Sequence, residues 1–227
     1  MTPNSPHVKF AILASDTAIF TVRDGELLVR LVNVDRPPHF KNIPGLPGGL
    51  LTPKETADEA ALRHIEEKAH IKASKLYIEQ LYTFSAVHRD PRGRVVAVAH
   101  TALIPWENLS ATEQMDTNGA QWVSVSSAHK LAYDHDEVLT VAVNRLRSRS
   151  TYTTIVSKLM PAEFTLSELE KTYESILKTQ FDKRNFRKKI LKLKILKELP
   201  HKRTGVAFRP AALYTFASPK VKEIEIL

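Results

Sequence analysis

The sequence predicts an α+β fold in two parts: a strand-rich N-terminal domain over residues 1–150 and a helical C-terminal domain ending in a hairpin over residues 151–227. Three observations predict it. Residues 7–34 form two β-branched, aromatic-rich runs joined by Asp24-Gly25, a strong hairpin signal. Thr165 and Asp182 each open an amphipathic helical stretch with capping chemistry. The charge is also split. The first 150 residues hold 17 Lys and Arg against 17 Asp and Glu, whereas the last 77 hold 16 against 8 and carry the whole excess of +8.

Residues 7–23 and 26–34 read as the two strands of that hairpin. Asp35–Gly45 reads as a loop, with Arg36, Pro37, Pro38, His39, Phe40 and Lys41. Leu46-Pro47-Gly48-Gly49 is a turn leading into a helix in which Ala61, Leu62 and Ile65 share a face. Glu55, Glu59, Arg63 and Glu67 recur every four residues on another face. Lys75–Ser85 and Arg94–Ile104 read as strands around the turn cluster 87–94, and Gln121–Val123 as a late strand. Asp134, with Glu137 three residues on, is a helix cap. Val138, Val141 and Leu146 fit the closing helix, and His135 at its start either faces a cleft, lies at the surface or serves the cap. Ser148–Ser157 is polar and lacks a core pattern, which places the domain boundary near 150.

Carboxylates at fixed spacing on a helix after a glycine-rich turn suit a divalent cation held against a diphosphate. The stretch Gly48–Ile71 resembles the Nudix box, G-x5-E-x7-R-E-U-x-E-E-x-G-U, where U is aliphatic. Gly49, Glu55, Arg63, Ile65, Glu67 and Ile71 match in register. His64 and Lys68 stand where the family has glutamates, and His70 where it has glycine. A lysine repels Mg²⁺ and a neutral imidazole is a poor ligand for it, so the box reads as a scaffold that has lost its chemistry. No catalytic residue and no metal ligand is assigned. The resemblance implies an α/β/α sandwich with a ligand cleft beside Arg36, Phe40, Gly48, Gly49, Glu67 and Arg89.

In the C-terminal domain, Thr165 and Glu168 form a capping box with Phe164 and Leu169 as its staple, and Leu166, Leu169, Tyr173, Ile176 and Leu177 make the apolar stripe. Asp182 caps a second helix read as DKRNFRKKILKLKIL, burying Phe186, Ile190, Leu193 and Leu196 and stopped by Pro200. Two helices with a short turn, the second basic, form a helix-turn-helix pattern. His201–Gly205 and Arg209–Phe216 read as a basic wing. Arg184 and Arg187 are placed to read guanine and Asn185 to read adenine, with Lys183, Lys188, Lys192, Lys202 and Arg203 as phosphate contacts.

A degenerate Nudix domain followed by FTLSELEKTYESILKTQFDKRNFRKKIL and RPAALYTF resembles the Nudix-related transcriptional regulators of the NrtR-like family. The resemblance implies a homodimer on a palindromic operator, repressing NAD or pyridine-nucleotide metabolism, with an ADP-ribose-type effector and no required cofactor. Two readings stay beside it: an active Nudix hydrolase acting on ADP-ribose or a nucleotide sugar, and a sugar-sensing regulator of pentose utilisation. The chain has no cysteine, which excludes disulfides, thiol nucleophiles and zinc-cysteine sites. No apolar run approaches the ~20 residues of a membrane helix. The start MTPNSPHVK lacks a signal-peptide pattern, so a cytoplasmic location is expected.

Overall fold

A computed structural model of the chain describes residues 11–116, 119–203 and 211–227. Strands β1 (Ile12–Arg23) and β2 (Glu26–Arg36) pair antiparallel, and both turn residues between them are left-handed, Asp24 at φ 52° and Gly25 at φ 77°. That matches the twist of a two-residue hairpin. Residues 7–10, expected to begin the first strand, lie outside the described residues.

The stretch read as a loop from Asp35 is largely strand. β3 (Phe40–Gly45) returns antiparallel along β2, leaving only 37–39 as the turn. Its prolines hid it from the sequence reading, but β3 is an edge strand, where Pro44 forfeits no ladder hydrogen bond. β4 (Gly48–Leu50) pairs with the first half of β1, Ser15 opposite Gly49 and Asp16 opposite Gly48.

Helix α1 (Ala57–His64) opens with a capping box between Thr56 and Glu59, then passes into a π-helical turn over Ile65–Ala69. β5 (Tyr77–Phe84) and β6 (Val95–Leu103) follow, with β6 running parallel to β1 along most of its length. The short α2 (Ala111–Gln114) precedes β7 (Ala120–Ser124), which pairs with β2, and α3 (His135–Tyr152) closes the domain.

The alternation of β1 builds two layers. Ala18, Phe20 and Val22 join Leu27, Val138, Leu139, Ala142 and Leu146 on the α3 side, while Ile19 joins Ile65, Ala69 and Ile71 on the α1 side. A strand with apolar residues on both faces needs a helix over each, and the result is an α/β/α sandwich.

The polar segment 148–157 is not a bare linker. α3 runs to Tyr152, and a 3₁₀ turn then buries Ile155 and Val156. Ser150 and Thr153 bury their hydroxyls by donating them to the carbonyls of Leu146 and Arg149, at 2.7 Å each. Local pairing of this kind lets polar residues sit in a core without cost from unmet hydrogen bonds.

α4 (Leu166–Leu177) carries the expected capping box, and α5 (Lys183–Lys192) is capped by Asp182, whose carboxylate accepts from the Asn185 amide at 2.8 Å. The helix is shorter than the sequence suggested. Lys194, at φ 54°, reverses the chain, and Leu196 begins β8 (Leu196–Arg203). Pro200 therefore does not stop the helix; it lies in β8 where the pairing register shifts between Glu198 and Lys202, a place that needs no ladder amide. β9 (Ala211–Phe216) completes the hairpin. The expected wing tip, with Thr204, Gly205, Phe208, Arg209 and Pro210, lies outside the described residues.

The two halves share one hydrophobic core. Phe164, Leu169, Tyr173, Ile176, Phe186 and Ile190 pack in the same cluster as Leu27, Val29 and Val138. The C-terminal tail returns to this seam. The amides of Ile224 and Ile226 donate to the carbonyls of Tyr152 and Thr151, at 2.9 and 2.7 Å, and Ile226 is fully buried.

His70 ends the π turn in the left-handed region, φ 56°. A β-carbon there costs about 1–2 kcal/mol, against the roughly 0.5–1 kcal/mol that glycine's extra unfolded freedom costs. His70→Gly is therefore expected to stabilise the fold by about 0.5 kcal/mol and to raise the thermal midpoint by about 1–2 °C. A melting curve shifted downward would contradict this account.

Candidate functional site

A cleft of about 450 Å³ opens between β1, β2, β4, the box helix and the start of α3. Arg36, Gly48, Gly49 and Arg89 line it, together with Asp16, Lys68, Asp90, Arg92, Tyr133 and His135. Phe40 stands one shell back, its ring centroid 4.4 Å from that of Tyr133. Glu67 lies outside the lining; it is exposed, and Arg63 Nη1 donates to it at 3.2 Å.

The two glycines are required by what packs against them. A β-carbon on Gly48 would fall 2.2 Å from Asp16 Oδ1 and 2.6 Å from the Ser15 carbonyl oxygen. On Gly49 it would fall 2.9 Å from both His64 Nε2 and Lys68 Nζ. The Lys68 ammonium donates to the Gly48 carbonyl. Burial lowers the pKa of Lys68, aided by the charge of Arg36, and burial also lowers that of His64, next to Lys68 and Arg63. His64 thus sits neutral under the glycine strand.

Arg63, the box arginine, clasps Glu55 through Nη2 at 2.5 Å and Nε at 2.9 Å. Those hydrogen bonds hold Glu55 at about 2. Glu66 accepts the Ala73 amide at 3.0 Å and takes no part in the cleft.

The floor of the cleft is an ion network. Arg89 donates to both oxygens of Asp134, at 2.8 and 2.6 Å, and to Asp16 Oδ2 at 3.0 Å. Asp134 occupies the N-cap position of α3, but its side chain makes no cap hydrogen bond. The arginine outcompetes the backbone amides for it, since a charged bidentate donor binds a carboxylate more strongly than a neutral one. His135 Nδ1 accepts the Leu46 amide at 2.9 Å, which places the ring proton on Nε2, 3.6 Å from Asp16 Oδ1. The side wall is aromatic: Tyr133 lies between Phe40 and His135, and the Arg92 guanidinium, itself paired with Asp90, stands 5.3 Å from the Tyr133 ring centroid.

Sequence reasoning missed Asp16, Asp90, Arg92 and Tyr133 as parts of this site. Asp16 had a signal, an acid inside an otherwise apolar strand. Tyr133 had none, because its position depends on a left-handed backbone, φ 57°.

The second surface is basic. Lys183, Arg184, Asn185, Arg187, Lys188 and Lys192 are all exposed on α5, opposite buried Phe186 and Ile190. Arg187 Nη2 reaches back to Ser167 Oγ on α4 at 2.9 Å. Lys202 is exposed on β8. Arg203 is half-buried and ion-paired with Glu168, so its charge is already engaged within the protein.

A capped helix pair with a hairpin behind it, joined to an α/β/α sandwich, defines a sandwich domain coupled to a winged helix. Residues 13–141 match the NUDIX domain family, and residues 156–216 match the NrtR DNA-binding winged helix domain. An "ADPR responsive transcriptional repressor NtrR" from Acinetobacter baylyi is 34% identical over 91% of this chain and 82% of its own length. The crystal structure of Shewanella oneidensis NrtR complexed with a 27mer DNA superposes with a TM-score of 0.78 at 30% identity, covering 90% of this chain and 93% of that one. The NUDIX domain of the same Shewanella protein, complexed with ADP ribose, gives 0.52 at 32% identity over 61% and 90% of the two chains. The chain belongs to the NrtR family of Nudix-related regulators. No helix among the described residues is long and apolar enough to cross a membrane.

Burial alone would raise the Asp16 carboxyl, but His135 and Arg89 outweigh it and hold the group at about 2. A carboxylate whose pKa is lowered on folding stabilises the protein above its unfolded value near 3.8, and that contribution is lost as pH falls toward 2. Asp16→Asn is expected to cost about 2 kcal/mol in equilibrium unfolding at neutral pH, with the deficit shrinking from about pH 4 down to about pH 2. A pH-independent deficit would show that the charge is not the cause.

Proposed function

We propose that this chain is an ADP-ribose-responsive transcriptional repressor. Residues 1–150 form the effector half and residues 151–227 the DNA-binding half. One observation carries the reading: a cation-lined cleft and an exposed basic helix stand on a single continuous core, in a chain related along nearly its whole length to a repressor described as ADP-ribose responsive. The protein acts as a homodimer on a palindromic operator. Each α5 enters a major groove with Arg184 and Asn185 toward base edges, while Lys183, Lys188, Lys192 and Lys202 meet phosphates. Arg187 reads bases once it leaves Ser167, and Arg203 orients the hairpin through Glu168 more than it binds phosphate. The target genes belong to pyridine-nucleotide metabolism.

We infer further that the Nudix domain binds its ligand without cleaving it. A hard divalent ion needs several oxygen ligands. Here Glu67 is drawn to Arg63, Glu66 to the Ala73 amide and Asp16 to Arg89, while Lys68 holds the Gly48 carbonyl. The donor set does not fit Mg²⁺, and no hydrolytic step is assigned through it. A ligand that favours one arrangement of the dimer shifts operator affinity without being consumed.

The test uses the full-length protein and an operator selected from random DNA by the protein itself. Arg184→Ala is expected to weaken specific binding about 10–100-fold. Lys188→Ala should weaken all sequences alike and reduce the slope of log affinity against log salt by about 1. Saturating ADP-ribose should change operator affinity, with no AMP released in the presence of Mg²⁺. Turnover of ADP-ribose at an enzyme's rate, or an operator affinity indifferent to it, would overturn the reading.

A further inference from the structure

We propose that the Lys68 ammonium is this chain's built-in replacement for a divalent cation, so that Lys68 and Arg36 together hold the effector's diphosphate without metal. The proposal rests on the effector reading above and names the groups that carry out the binding.

The charge balance of the cleft points there. Four cationic side chains line it, Arg36, Lys68, Arg89 and Arg92, beside the carboxylates of Asp16, Asp35 and Asp90. Arg89 is committed to Asp16 and Asp134, and Arg92 to Asp90. Among the described residues, no carboxylate stands within ion-pair distance of Lys68 or Arg36. Arg36 is exposed and donates to the Asp35 carbonyl at 3.0 Å. The two arginines that look suited to an anion are therefore neutralised, and the two remaining cations are those that no internal carboxylate satisfies.

Lys68 is also fixed in place. The π turn brings it beside His64 beneath Gly49, and the Gly48 carbonyl holds its ammonium at the cleft wall. A carbonyl that would serve a hard cation already has an ammonium on it, and a metal would have to displace that ammonium to bind. The groups facing Lys68 are Asp16 from β1, Arg36 from β2, and Arg63, His64 and Glu67 from the box helix. Burial and Arg36 disfavour its charged form, so an incoming diphosphate relieves two cations at once. A half-buried ammonium with no carboxylate in ion-pair contact is costly, and that cost becomes selectivity for an anion at this position.

Calorimetric titration of the full-length protein with ADP-ribose, in excess EDTA and in excess MgCl₂, tests this. Wild-type affinity should be equal in the two buffers. Lys68→Met and Arg36→Ala should each weaken binding about 10–100-fold in EDTA, the usual worth of a hydrogen bond to a charged group. Arg36 is exposed, so that variant tests the pair without threatening the fold. As pH rises and Lys68, its pKa lowered by burial and Arg36, gives up its proton, wild-type affinity should fall, while Lys68→Arg, which stays charged, should remain flat. Loss of wild-type binding in EDTA, or wild-type affinity in Lys68→Met, overturns the proposal. Pyrophosphate is the second probe. If it binds in EDTA and loses affinity in Lys68→Met while ADP-ribose does not bind, the effector reading falls and the Lys68 site stands. If neither ligand binds, both fall.

Discussion

The buried bridge from Arg89 to Asp16 and Asp134 is the interaction on which the rest of the cleft depends. It ties the central strand, the β5–β6 loop and the first turn of α3 together through one guanidinium. Its three charges are nearly removed from water, so deleting one partner would leave the others uncompensated. Other features follow from it. Gly48 must lack a side chain because Asp16 occupies that space, and His135 is held between Leu46 and Asp16 because α3 starts where Arg89 fixes it. Asp134 gives up its capping role to make the bridge.

The box register, the Asp24-Gly25 hairpin and the Thr165 capping box were legible in the sequence because each is local: a few neighbouring residues specify the geometry. The same holds for the two opposed faces of α5. Legibility ended where a side chain's partner is distant. Nothing near Asp16 announces Arg89, 73 residues away, and nothing near Glu168 announces Arg203. Prolines misled twice. Those of residues 35–45 went with a loop and Pro200 with a helix stop, yet an edge strand and a shift of register admit them. Lys68 was visible as a departure from the Nudix pattern, but only its contact with the Gly48 carbonyl shows what it does instead.

The helix-turn-helix is secured from its first helix. Ser167 and Glu168, both in the first turn of α4, receive Arg187 from α5 and Arg203 from the hairpin. Phe181 and Phe186 stack at 5.3 Å across the turn, and Tyr173 meets Phe186 edge-on at 5.6 Å. The basic helix therefore has a set orientation relative to α4, and α4 is seated on β2 and α3. Position in the cleft and position at the DNA surface are separated by packed elements and no long linker.

The return of the C-terminal tail gives this arrangement its wider meaning. Ile226 fills the seam beneath the end of α3, so residues 224–227 complete a core begun by β1 and β2. A chain without residues 224–227 would lose the bolt between the two halves while keeping the cleft lining and the whole of α5.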